Sequence, residues 1–190
     1  KHQIGYMPEE RGLYPKKTVS EQLIYLGMLR GLSAKKAKEN MKKWLAKMEV
    51  SEYENRKLET LSKGNQQKLM IVMALLRNFT YLIADEPFNG LDPRHMHVLK
   101  TILMELRARN KGVLLSTHLL DVIEMFCDRY IMLDEGYVIA VGTKAEILQQ
   151  HGLDASCTIE DCYIALTDRE TGEWDHEDES FSADDEEHAA

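Results

Sequence analysis

The sequence predicts an α/β protein: a parallel sheet covered by helices, with a helical block placed ahead of the strands that carry most of its polar motifs. Three observations predict it. Apolar residues recur at helical spacing through roughly residues 18–78. The period then changes at Tyr81, where a short apolar run is bounded by polar residues. From there strand-like and helix-like segments alternate, the pattern of a parallel sheet with helical crossovers.

Taken in order, residues 3–7 (QIGYM) read as the end of a strand stopped by Pro8, and Glu9–Lys17, with Gly12 and Pro15, as a loop. Thr18 and Glu21 form a capping box, followed by Val19, Leu23, Leu26 and Leu29 at helical spacing. Gly31 ends that helix. Ser33 caps a second, whose predicted inner face is Met41, Trp44, Leu45 and Met48. A third runs from near Lys63 to about Asn78. Tyr81–Ala84 and Val113–Ser116 read as buried parallel strands, separated by a helix that Pro93 opens and that reaches about Arg109. Leu119–Cys127 reads as helical. Tyr130–Leu133 and Tyr137–Val141 form a hairpin turning at Glu135-Gly136. Thr143 caps a helix through Gln150, and Ile159–Leu166 is a last short helix. The expected division is thus 1–17, the end of a core strand and a loop; 18–78, a helical block; 79–167, an α/β core; and 168–190, an acidic tail that lacks periodicity and reads as disordered.

Composition narrows the function. At 190 residues the chain can bury one sizeable core, and 44% of it is hydrophobic. No run approaches the ~20 apolar residues that span a bilayer. The first residue is Lys1 and no secretory signal is present, so the chain reads as a fragment or processed product. Cys127, Cys157 and Cys162 have no metal-site spacing and read as free thiols in a reducing compartment. The net charge of -8 is local in origin: Asp168–Ala190 holds 11 acidic residues against Arg169 alone, leaving 23 basic and 21 acidic residues in 1–167. No basic stripe of the nucleic-acid-binding kind is present, and Lys35–Lys47 reads as the solvated face of a helix.

The chemistry concentrates in four places. Tyr81–Pro87 (YLIADEP) delivers Asp85 and Glu86 together at the C-terminal end of an apolar strand, the edge where open α/β sheets bind ligands. Buried carboxylates need a partner or a metal. Either Asp85 holds Mg²⁺, a hard cation that takes oxygen ligands, directly or through water, and Glu86 polarises an attacking water, or the pair is a strand end turning into a charged loop. Leu61–Lys68 (LSKGNQQK) places Ser62 and Gly64 at a helix start, which is either an anion site or an ordinary cap. Asn89–Pro93 (NGLDP) follows the two carboxylates. His118 ends the next strand in Ser116–His118, either as a donor to a phosphate oxygen or in a structural role.

These four elements, in this order and at these separations, resemble the ABC ATPase family over about residues 3–167: LSKGN is similar to the LSGGQ signature, YLIAD with Glu86 to the Walker B strand and its following glutamate, Asp92 ends the D-loop, and His118 matches the switch histidine. The resemblance implies a P-loop NTPase-like parallel sheet with the ABC helical subdomain. It implies ATP and Mg²⁺ as ligands, with Asp85 on the metal, Glu86 and His118 catalytic, and Ser62, Lys63, Gly64, Asn65, Glu9 and Asp92 on the nucleotide. Lys63 and Asn65 depart from the signature's usual glycine and glutamine, and in GYMPE Glu9 stands where the family's Q-loop carries glutamine. No G-x-x-x-x-G-K-[ST] phosphate loop occurs within 1–190, so the chain is expected to be N-terminally truncated relative to the family and inactive by itself.

The partners implied are a membrane-spanning permease and a second ATP-binding subunit, identical or not, with the protein peripheral on the cytoplasmic face of the membrane. The segments EERGLYPKKTV, LSKGNQQK and TIEDCYIALT look most like export subunits of the drug or sodium group. The alternatives are a soluble ABC ATPase of the translation-factor or DNA-repair type, and a non-enzymatic dimerisation module.

Overall fold

The structure, a computed structural model, describes residues 3–9 and 12–168; the acidic tail beyond lies outside the described residues. The chain divides into two compact units, one reaching to Phe126 and the other beginning at Cys127.

In the first unit, strands β1 (Ile4–Met7), β2 (Tyr81–Asp85) and β3 (Gly112–Ser116) form a parallel sheet in that order. Between β1 and β2 lie helices α1 (Val19–Leu29), α2 (Ala34–Lys47) and α3 (Lys63–Leu75). Helix α4 (Pro93–Ala108) connects β2 to β3, and the short α5 (Leu120–Glu124) follows. Two 3₁₀ turns, Ser51–Tyr53 and Leu58–Thr60, lead into α3.

Local chemistry explains the helix starts. Thr18 and Glu21 cap α1 reciprocally, as the sequence predicts. Ser33 caps α2 by accepting from the Lys36 N–H, and Asp92 does the same for α4 from His95 ahead of Pro93. Helix α3 ends at Leu75, short of the expected Asn78. There Arg30 donates to the Met73 carbonyl at 2.6 Å and Asn40 to the Leu76 carbonyl at 2.7 Å. Arg30, just after α1, and Asn40, in α2, thus satisfy carbonyls that a longer helix would have used itself.

The core lies on one face of the sheet. Met7, Leu82 and Ala84 meet Ile71, Leu75, Leu99, Ile102 and Leu103 from α3 and α4. Successive strand residues point to opposite faces. The other face carries Ile4, Tyr6, Tyr81 and Leu114, which are 50 to 58% exposed. Strands expected to be buried on both faces are therefore buried on one, because among the described residues the helices cover that side alone. A second correction concerns α2. Met41, Leu45 and Met48 are buried as expected, but Ala37 completes their row. Trp44 is half-buried, with the Lys43 and Lys47 ammonium groups 5.6 and 5.7 Å from its ring centroid.

In the second unit, β4 (Tyr130–Asp134) and β5 (Tyr137–Gly142) form an antiparallel hairpin with a register shift at Met132/Leu133. Its two turn residues, Glu135 and Gly136, have φ of 46° and 87°. Positive φ at both positions is the twist-compatible turn predicted from Glu-Gly. Helices α6 (Lys144–His151) and α7 (Ile159–Thr167) each start with a capping box, from Thr143/Glu146 and Thr158/Asp161.

Candidate active site at the C-terminal edge of the sheet

Parallel pairing assembles the site. The register sets Asp85 beside Ser116, so the residues that follow β2 and β3 leave the sheet side by side. The Ser116 hydroxyl donates to the Asp85 carboxylate. The Glu86 N–H donates to the Ser116 carbonyl at 3.0 Å, which extends the pairing one residue past the strand.

Glu86 then turns. Its φ is 43°, in the left-handed region that non-glycine residues seldom occupy. Such a conformation costs on the order of 1–2 kcal/mol and persists where neighbours hold it. They do. One carboxylate oxygen accepts from the His118 N–H at 3.0 Å and meets His118 Nδ1 at 2.9 Å; the other accepts from the Thr117 hydroxyl at 3.1 Å. Because an ionised carboxylate only accepts, the protonated Nδ1 tautomer fits this contact. The Glu86 side chain is 16% exposed and that of His118 is 67% exposed. A carboxylate has about four lone-pair positions, and the described residues occupy three. An orientable water can take the fourth.

The Leu61–Lys68 segment opens α3 beside this edge. Ser62 accepts from the Asn65 N–H at 3.3 Å, so its hydroxyl acts here as a helix cap. Ser62 and Lys63 are exposed, and Gly64 and Asn65 half-buried. Gly64 lies against the loop after β2: a Cβ there would stand 2.6 Å from the Gly90 carbonyl oxygen, so glycine alone fits. Gln66 donates to the carbonyls of Leu58 and Leu61 at 3.2 and 2.9 Å and thereby fixes the turn before the helix. Gln67 donates to the Glu86 carbonyl at 3.1 Å.

Asp92 closes the loop. It caps α4, accepting from the His95 N–H at 3.0 Å and meeting His95 Nδ1 at 2.7 and 2.8 Å, with the buried Lys68 ammonium 3.7 Å away. The His95 backbone N–H leads in holding the Asp92 carboxyl down at about 2, with the His95 ring and Lys68 acting in the same direction. His95 also lies 3.8 Å from Glu49, which pairs with Arg94 at 2.7 Å. Glu9 is exposed, two residues beyond Met7, which pairs with Ala84.

The structure thus brings Asp85, Glu86 and His118 to one edge, packs Gly64 and Asp92 around the loop after Glu86, and leaves Ser62, Lys63 and Glu9 at the surface. Ser116, Thr117, Gln67 and Lys68 join the site without having been singled out as ligands. Two adjacent glutamines and a lysine in the first turns of an otherwise apolar helix were the available signal.

A parallel sheet with polar residues at its C-terminal edge and a helical block between β1 and β2 defines a P-loop NTPase-like α/β architecture. The ABC transporter family model matches residues 1–89. The chain is 40% identical over 151 residues to an uncharacterised ABC transporter ATP-binding protein, YhaQ of Bacillus subtilis (strain 168), covering 80% of this chain and 51% of that protein. It is 36% identical over 174 residues to the ABC-type transporter ATP-binding protein EcsA of the same organism, covering 90% of this chain and 68% of that one. A solved ATP-binding subunit of an ABC transporter superposes with a TM-score of 0.80 at 36% identity, over 87% of this chain and 69% of that chain. The chain belongs to the family of ABC transporter ATP-binding proteins. It spans about half the length of several curated relatives that it matches.

Proposed function

We propose that this chain forms the ATP-hydrolysing part of an ABC transporter subunit that drives export through a membrane-spanning permease. The observation that carries the proposal is the 2.9 Å contact between Glu86 and His118, at the strand edge where Asp85 also emerges. Glu86 accepts a proton from the attacking water, and His118, whose Nδ1–H is held by Glu86, donates to the γ-phosphate from its solvent-open Nε2 in the imidazolium form. The hard-oxygen pair of the Asp85 carboxylate and the Ser116 hydroxyl fits Mg²⁺. When bound, that ion neutralises charge on the phosphates.

The 190 residues contain no glycine-rich loop of the P-loop type, so the segment that cradles the phosphates comes from outside them. A second ATP-binding subunit receives Ser62, Lys63, Gly64 and Asn65 at its own nucleotide, aided by the N-terminal dipole of α3. Glu9 and Asp92 border the nucleotide from the neighbouring loops. The permease docks on the loop after β1 and on α1, where Tyr14, Tyr25, Met28 and Leu29 are 48 to 65% exposed. Such a subunit works on the cytoplasmic face of the membrane.

Glu86→Gln tests the reading in the assembled ATPase. The amide keeps the shape but removes the base. Turnover is expected to fall by at least 100-fold, the scale of general-base catalysis, with ATP binding retained. Turnover within a few-fold of the unaltered protein would refute the assignment.

A further inference from the structure

We infer that Gln67, in the second turn of α3, is a positioning residue that sets the direction of the Glu86 carboxylate from the helix that opens with Ser62. The inference rests on the hydrolytic role proposed for Glu86.

Glu86 holds a left-handed backbone at φ 43°. Two donors grip its carbonyl. Asn89 N–H supplies a local turn bond at 3.1 Å, and Gln67 Nε2 reaches it at 3.1 Å across a separation of 19 residues. Rotation of that peptide changes the direction in which the Cα–Cβ bond leaves the chain. A donor fixed to a packed helix therefore fixes the carboxylate on Thr117 and His118. The grip is part of a continuous surface. Gly64, Gln67 and Lys68 stand at i, i+3 and i+4 of α3, on one helix face. They meet, in turn, the Gly90 carbonyl, the Glu86 carbonyl and the Asp92 carboxylate. The next residues of the helix, Leu69 to Leu75, are buried, so the face cannot rotate independently of the core. A methionine at 67 would fill similar space, and only the amide N–H supplies the contact to Glu86. Movement of the Ser62–Asn65 end of α3 is thereby passed to the base in the same chain.

The test is steady-state ATP hydrolysis by the assembled ATPase carrying Gln67→Met, which keeps the length and removes the donor, and Gln67→Lys, which keeps a donor. Losing one hydrogen bond that acts on the reacting geometry is expected to lower kcat about 5- to 10-fold. KM for ATP should stay within about twofold, and the melting temperature within about 2 °C, this being a half-buried side chain. Gln67→Lys should recover most of the lost kcat. Should Gln67→Met not fold, Gln67→Leu, likewise neutral and without a donor, makes the same comparison. A wild-type kcat in the donor-less variant, or a loss that only tracks the folded fraction and that lysine does not repair, overturns the inference. Glu86→Gln run alongside separates the two claims. If it abolishes turnover while Gln67→Met does not reduce it, the positioning role alone fails. If Glu86→Gln turns over normally, the hydrolytic reading fails and the inference with it.

Discussion

Replacing Gly64 with alanine probes the closest approach in the site. The added Cβ would stand 2.6 Å from the Gly90 carbonyl oxygen and 3.8 Å from its carbon. Both are backbone atoms, so no flexible side chain can swing away, and either α3 or the loop after β2 must move. Overpacking of this kind costs about 1–3 kcal/mol. Alanine returns up to about 1 kcal/mol through helix propensity, and less in a first turn. The net loss is about 1–2 kcal/mol. For a protein of this size each kcal/mol shifts Tm by about 2–4 °C, so the expected fall is about 2–8 °C. Thermal unfolding followed by far-UV circular dichroism reads it directly. A Tm equal to or above that of the unaltered protein would show that α3 does not press on Gly90, and the packing argument for the site would fail.

Two further outcomes follow from the same structure. Asp92 is held at about 2, against an ordinary value near 3.8. A lowered carboxyl contributes stability in full above its unfolded value, and loses it as pH falls through the folded one. Denaturant unfolding should therefore show a constant stability gap between the unaltered protein and Asp92→Asn above about pH 4. That gap should shrink between about pH 4 and 2; a gap that widens there would contradict the capping account. Leu45→Ala, at a fully buried position in α2, should cost about 2–5 kcal/mol by the same measurement, whereas a cost below about 1 would show that the helical block is loosely packed.

The parts of the fold legible in the sequence are those that local chemistry decides. The Thr18/Glu21 box and the cap at Thr143 are i, i+3 arrangements that need no tertiary partner. The Glu-Gly turn of the hairpin is likewise a two-residue matter. The strand that ends at Asp85 was legible because a short apolar run bounded by polar residues suits a buried parallel strand. What escaped was set by distant contacts. The exposure of Tyr81 and Leu114 depends on which sheet face the helices cover, and an apolar strand looks the same either way. Trp44 fits the apolar spacing of α2, yet its ring sits under two lysines at the rim. The left-handed Glu86 carries no glycine to announce it, and Gln67 reaches its carbonyl from α3. The Glu86–His118 contact joins residues 32 apart, and only the register of two parallel strands brings them together.

A crystal structure of the Glu86→Gln form of the assembled ATPase with Mg²⁺ and ATP is the most direct test. It should show Mg²⁺ on the Asp85 side, the γ-phosphate within hydrogen-bond reach of His118, and the substituted amide at position 86 facing the water in line with it. Nucleotide bound away from the edge formed by β2 and β3, with Asp85 and His118 on separate surfaces, would contradict the account.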